Sequence, residues 1–327
     1  MMKIMLITGG AGFKGSNFIK YFLKRNRNFI VVDIDRQPYP YEMNRLEELE
    51  NSPRYHHIKG DICNRDLVEY VLRKYKPSWI VNFCCEPGWV EEPKNFRANE
   101  ETGFTGTLSL LEGARHAWAR TPLADKRFLQ ISTDEVYGCR TNEKVLCDEN
   151  APLSPESPYS AIKAGADLMT SAYFKAFGMP VLILRSCSTY GPWQELHRPV
   201  PSLLKKIAEG GAVSCVSCGP EREWLHISDL CSAITRTLFF ARPGETYNVG
   251  SGEAATEAEL AASLLKLSGR EREKPFEPVK CRKSGSIRRL DSEKARYRLK
   301  WTNSYSLEEG LQDTVKWYES HRIFKKP

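Results

Sequence analysis

The chain has 327 residues, 41% hydrophobic and 27% charged, and its 48 Lys and Arg outnumber its 41 Asp and Glu to give a formal net charge of +7. That length suffices for one large α/β unit or two parts sharing a cleft, and no apolar run approaches the roughly 20 residues of a membrane helix. The charge is mild and the basic residues are scattered, apart from a modest cluster at Lys280, Arg282, Lys283, Arg288 and Arg289, so a nucleic-acid surface is not expected.

Lys3–Thr8 is a continuous apolar run that leads into glycines and then into Ser16–Leu23, whose apolar residues have helical spacing. Phe29–Asp33 is a β-branched run ending in an acid, which completes the strand–turn–helix–strand of a dinucleotide fold. The alternation continues through a strand at His57–Ile62, a helix at Leu67–Tyr75, a strand at Trp79–Phe83 and a helix at Thr107–Trp118. Strands at Arg127–Ser132 and Val181–Arg185 follow. Such alternation predicts an α/β fold with a Rossmann-type, doubly wound parallel sheet. Beyond Pro192, Pro199 and Pro201 the pattern changes: Ala258–Leu267 and Leu307–Tyr318 read as helices, and Tyr247–Gly250 as a strand returning to the sheet. The expected organisation is a cofactor-binding part over 1–191, with a returning strand near 225–250, and a smaller, discontinuous α/β substrate-binding part over 192–327.

The start at Met1–Thr8 reads as a buried strand rather than a signal peptide, which would need a longer apolar core and a cleavage site. Ten cysteines without an export signal read as reduced thiols of a cytoplasmic protein. Cys215 and Cys218 have the C-x-x-C spacing but no second pair, so no metal site is expected.

Gly9, Gly12 and Gly15 form G-x-x-G-x-x-G between strand and helix, where glycine lets backbone N–H groups approach a pyrophosphate. Asp33, closing the next strand, is expected to accept from an adenosine ribose and to repel a 2′-phosphate, which favours NAD over NADP. Lys14 stands where an apolar residue is expected, as a phosphate contact or an exposed side chain. Tyr159 and Lys163 are four apart and share one helix face, so the ammonium can stabilise a phenolate that takes a hydroxyl proton. Thr133 can hydrogen-bond the same hydroxyl, and the adjacent Asp134 and Glu135 supply an acid and a base.

With these residues the chain resembles the extended short-chain dehydrogenase/reductase family, and the Thr133-Asp134-Glu135 run resembles its nucleotide-sugar 4,6-dehydratases. Relatives that epimerise or decarboxylate the sugar usually lack the Asp-Glu pair. Gly60-Asp61-Ile62, Arg185, Tyr190-Gly191-Pro192, Arg222-Glu223-Trp224, Asp229, Tyr247-Asn248-Val249-Gly250, Trp301 and Trp317-Tyr318 extend the likeness over nearly the whole chain. The resemblance implies NAD as cofactor, contacted by Phe13, Asp61, Ile62, Cys84, Glu86, Tyr159 and Lys163 as well as the glycine loop. It implies a nucleotide-diphosphate sugar held by Glu86, Ser188, Arg198, Arg222, Asn248 and Arg289, and a homodimer formed through the helices of Thr107–Trp118 and of Tyr159. The implied chemistry is oxidation at C4 by Tyr159, loss of the C5 proton to Glu135, protonation of the leaving C6 hydroxyl by Asp134 and return of hydride to C6.

Several positions depart from that pattern. Pro87–Glu92 differs sharply from the dehydratase segment, and Ser188 and Gly103 replace usual asparagines. A rebuilt sugar cradle implies a non-standard sugar nucleotide or an outcome such as a 5,6-alkene. A 4-epimerase of the same fold and a non-catalytic NAD-binding protein are the alternatives.

Overall fold

A computed structural model describes residues 2–36, 45–84, 101–138, 146–210, 221–270, 287–321 and 323–324. Seven parallel strands form the main sheet: β1 (Lys3–Thr8), β2 (Phe29–Asp35), β3 (Tyr55–Lys59), β4 (Trp79–Asn82), β5 (Arg127–Thr133), β6 (Val181–Ser186) and β9 (Thr246–Val249). Their order, β3-β2-β1-β4-β5-β6-β9, is doubly wound, with the direction of winding reversed at β1. Met5 to Thr8 and all of β6 are buried, as expected for parallel strands covered on both faces. Two apolar clusters fill those faces. One gathers Phe18, Phe22, Leu129 and Leu184, the other Leu6, Val68, Leu110 and Phe128.

The covering helices are α1 (Phe13–Arg25), α2 (Arg65–Tyr75), α3 (Thr107–Trp118), α4 (Pro158–Phe177) and, from the later chain, α6 (Ile227–Phe240). The Tyr247 strand does return to the sheet, pairing Asn248 with Arg185. A smaller sheet is built around β8 (Glu221–His226), flanked by β7 (Ser188–Tyr190), β10 (Ala254–Ala255) and β11 (Ile287–Arg288). The remaining helices are α5 (Pro199–Ala208), α7 (Glu257–Leu267), α8 (Glu293–Leu299) and α9 (Leu307–Ser320). A third core, with Val200, Trp224, Leu260, Leu311 and Tyr318, joins α5, α7 and α9 to the small sheet.

Candidate active site

The turn from β1 into α1 is shaped by its glycines. Gly9 has φ +73°, and a Cβ on Gly15 would lie 2.3 Å from the Gly9 carbonyl oxygen. Gly12 caps α1 without a side-chain hydrogen bond and the first turn carries no acid, so its N–H groups point outward unclaimed by a side-chain cap. Gly12, Phe13 and Gly15 are buried in this cradle and Lys14 is half-buried. The Ala11 peptide is held from both sides, its N–H by Asp35 Oδ2 and its carbonyl by Arg45 Nη1, each at 3.0 Å.

Asp33 does not face that surface, which corrects the expectation of a ribose contact. Strand β2 continues two residues beyond it, leaving Asp33 fully buried between Ile7 and His57. Its carboxylate accepts from Gly10 N–H at 3.0 Å and Tyr55 Oη at 3.2 Å, and lies 2.9 Å from His57 Nδ1. Burial raises its pKa against these bonds. Half-buried Asp35, one pleat further on, ends the strand beside the glycine turn. Two acids in Val31-Val32-Asp33-Ile34-Asp35 were the signal for it. Beyond β3, Asp61 pairs with Arg36 at 2.7 Å, and Ile62 is buried where a Cβ on Gly106 would strike it. Cys84 is half-buried next to Gly9, and burial pushes its thiol up. Glu86 and the 87–92 segment lie outside the described residues.

Helix α4 begins with a Ser157/Ser160 capping box and Pro158 in its first turn, which fixes Tyr159 near its start and Lys163 one turn on. Tyr159 is half-buried and Lys163 is 3% exposed. Lys163 Nζ donates to the Ile131 carbonyl at 2.6 Å, tying the helix to the end of β5. One further turn along, Asp167 Oδ2 accepts from Ser132 Oγ at 2.9 Å and from Arg185 Nε at 2.8 Å.

At the tip of β5, Thr133 caps a short 3-10 turn, Asp134–Tyr137, accepting from Glu135 N–H. Thr133 Oγ1 donates to Asp134 Oδ1 at 3.1 Å. Asp134 is buried, with Arg288 Nε 3.8 Å from Oδ2, and Glu135 is half-buried. Burial, and next the Asp134 charge, raise the Glu135 pKa, while Arg288, Arg222 and Lys14 pull it down. Lys14 therefore lies close enough to Glu135 for its charge to act there, a placement neither sequence expectation anticipated.

Among the expected substrate residues, half-buried Arg222 lies opposite Arg288 in the small sheet, and half-buried Ser188 opens β7. Arg198 caps α5, its Nε 3.7 Å from Glu195 Oε2. Two expectations are corrected. Asn248 is fully buried, accepting from Tyr137 Oη and donating to the Cys147 carbonyl and Glu149, so it braces the sheet instead of meeting substrate. Arg289, just past β11, turns to Glu221 at 3.0 Å, while its neighbour Arg288, which ends β11, faces Asp134 with Nε 3.8 Å from Oδ2.

Loop, strand order and capped Tyr/Lys helix are together those of a dinucleotide-binding α/β protein. The family model for GDP-mannose 4,6 dehydratase matches residues 6–314, and the chain belongs to this family. A dTDP-glucose 4,6-dehydratase of Haemophilus influenzae is 33% identical over 335 residues, covering 97% of this chain and 98% of the relative. A dTDP-glucose 4,6-dehydratase from Bacillus anthracis, solved in complex with NAD, superposes with a TM-score of 0.88 at 32% identity, covering 98% of each chain. A UDP-glucose 4-epimerase from Thermotoga maritima shares the fold, with a TM-score of 0.84 at 22% identity over 98% of this chain and 99% of its own.

Proposed function

We propose that the chain is an NAD-dependent nucleotide-sugar 4,6-dehydratase, a lyase that converts a nucleotide-diphosphate hexose into its 4-keto-6-deoxy form. The observation carrying this reading is the Thr133–Asp134–Glu135 turn, which sets two adjacent carboxylates just past the end of the strand whose Ile131 carbonyl holds Lys163. An epimerase, which only removes and returns hydride at C4, has no use for that pair. The turn fits a dinucleotide, since the missing side chain at Gly15 lets the start of α1 pack directly on the Gly9 and Gly10 backbone and α1 has no acid in its first turn.

NAD held by the glycine turn would supply the hydride chemistry, taking up hydride from C4 of the sugar and giving it back at C6. Tyr159 Oη takes the C4 hydroxyl proton, with the Lys163 ammonium stabilising the phenolate and Thr133 Oγ1 bonding the same oxygen. The C4 ketone so formed acidifies C5, whose proton passes to Glu135. Asp134 protonates the departing C6 hydroxyl, which leaves as water, and Glu135 gives its proton back to C5 as hydride reaches C6. Asp35 replaces Asp33 as ribose contact, while Asp61, Ile62, Cys84 and Glu86 complete the cofactor site. Ser188, Arg198, Arg222 and Arg288 hold the sugar nucleotide, Arg222 and Arg198 meeting the diphosphate. Residues 1–191 with β9 thus serve the cofactor and 192–327 the substrate, in a cytoplasmic homodimer. Exposed Leu168 and Ala172 on α4, beside exposed Phe104, support the α3/α4 face as the dimer surface.

Incubation with dTDP-glucose, then UDP-, GDP- and CDP-hexoses, is expected to show loss of water by mass spectrometry. Glu135→Gln is expected to leave reduced cofactor on the enzyme without elimination, and Tyr159→Phe to lower kcat by about 10²–10⁴-fold. Interconversion of C4 epimers without water loss would overturn the reading.

A further inference from the structure

Behind the glycine turn lies a buried ion pair that the dehydration chemistry does not use. Arg45 is 6% exposed and Glu195 is 7% exposed, with Arg45 Nη2 3.0 Å from Glu195 Oε1. They come from distant parts of the chain, Arg45 from the segment after β2 and Glu195 from the turn after β7. The other two nitrogens of the Arg45 fork also donate. Nη1 donates to the Ala11 carbonyl and Nε to the Trp193 carbonyl, both at 3.0 Å. Ala11 belongs to the proposed pyrophosphate cradle, and Trp193 holds a left-handed φ of +70°, rare for a bulky residue. The second Glu195 oxygen, Oε2, lies 3.7 Å from Nε of Arg198, the residue that caps α5. Asn17 of α1 reinforces the same junction by donating to the Pro192 carbonyl at 3.1 Å.

These contacts form one chain, from Ala11 through Arg45 and Glu195 to Arg198. A buried guanidinium with all three of its nitrogens engaged cannot shift without breaking a bond in a low-dielectric setting, where each break is costly. We infer that Arg45 and Glu195 are positioning residues that couple the two ligand sites, so that filling the cofactor cradle orders Arg198 for the substrate diphosphate and the reverse. Fixing the Ala11 peptide fixes Arg45, which fixes the Glu195 carboxylate, which sets one edge of the Arg198 guanidinium. Because coupling between binding equilibria is reciprocal, a nucleoside diphosphate must tighten NAD by the same factor by which NAD tightens it. A structural brace alone would need no link from Glu195 to Arg198. The inference rests on the reading of Arg198 as a diphosphate contact.

The test is calorimetric titration of NAD into the full-length, nucleotide-free protein, with and without saturating dTDP. For the unaltered protein dTDP is expected to tighten NAD by about fivefold or more. In Glu195→Gln the amide oxygen still accepts from Arg45 but the attraction for Arg198 is gone. NAD affinity alone is then expected to stay within about twofold while the coupling factor falls to about one. Should Glu195→Gln fold poorly, the double variant R45M/E195M replaces the buried pair with apolar groups of similar length, an exchange often neutral for stability, and is expected to show the same loss of coupling. A brace alone would lower the melting temperature and both affinities with coupling intact, and that result overturns the inference. So does an unaltered protein whose NAD affinity responds to none of dTDP, UDP, GDP or CDP. Arg198→Ala separates the two readings. Unchanged dTDP affinity in that variant removes Arg198 from the diphosphate site, whereas weakened dTDP binding alongside intact coupling in Glu195→Gln rejects the bridge alone.

Discussion

Glu135 sits between opposing influences, with burial and Asp134 raising its pKa and Arg288, Arg222 and Lys14 lowering it, and the net shift is upward. A base must be ionised to accept the C5 proton, so activity is lost as pH falls through this raised value. The acid limb of kcat/KM is therefore expected above the range of an ordinary glutamate, near pH 4.3. Removing a lowering charge moves the limb further up, so Lys14→Met is expected to shift it to higher pH than in the unaltered enzyme. A pH–rate profile with an unmoved limb would separate Lys14 from the acid pair. At this scale the proposed catalytic set was legible in the chain as a pattern, because Thr133, Asp134 and Glu135 are contiguous and Tyr159 and Lys163 are one helical turn apart. Asp33 and Asp35 were not separable. Both lie on the same side of β2, and only the strand's true end decides which of them is deep and which is at the tip.

The strand–turn–helix at the N-terminus is the element proposed to hold the cofactor. Gly15 lies in the first turn of α1, and its ideal Cβ would meet the Gly9 carbonyl at 2.3 Å and Gly10 Cα at 2.7 Å. Both obstacles are backbone, so Gly15→Ala must push α1 away from the turn. The expected cost is about 1–3 kcal/mol of stability, read by thermal unfolding, with NAD affinity falling at least about tenfold because the helix N-terminus withdraws from the phosphate. An alanine variant with unchanged NAD affinity would place the dinucleotide elsewhere. Long elements were legible from periodicity. The Thr107–Trp118 helix matches its sequence reading, and helix α1 begins at Phe13, three residues before the apolar spacing starts. The small sheet was not, since β10 and β11 have two residues each and β7 has three, too few to display alternation.

Across the whole molecule, the parallel sheet delivers the ends of β1, β2 and β5 to one edge, beside the point where winding reverses at β1. The surface proposed for a second copy falls on α4. Of the apolar residues there, Ala164 and Tyr173 are buried in the core, whereas Leu168 is 62% exposed. If the proposed homodimer uses this face, Leu168→Arg is expected to convert it to a monomer in analytical ultracentrifugation while the fold is retained, because the side chain already meets solvent in the single chain. A variant that stays dimeric would move the interface off this face.

The sequence by itself determined the parallel α/β architecture, the glycine turn and the positions of the five residues proposed for catalysis. These depend on local spacing, which the chain carries directly. Only the tertiary structure decided that Asp33 is internal, that Asn248 braces Tyr137 and Cys147, that Arg288 rather than Arg289 meets the acid pair, and that Arg45 joins Glu195 across the molecule. Each of these depends on where a strand ends or which face a side chain takes once distant segments pack. Neither burial nor a partner 150 residues away leaves a periodic mark on the chain.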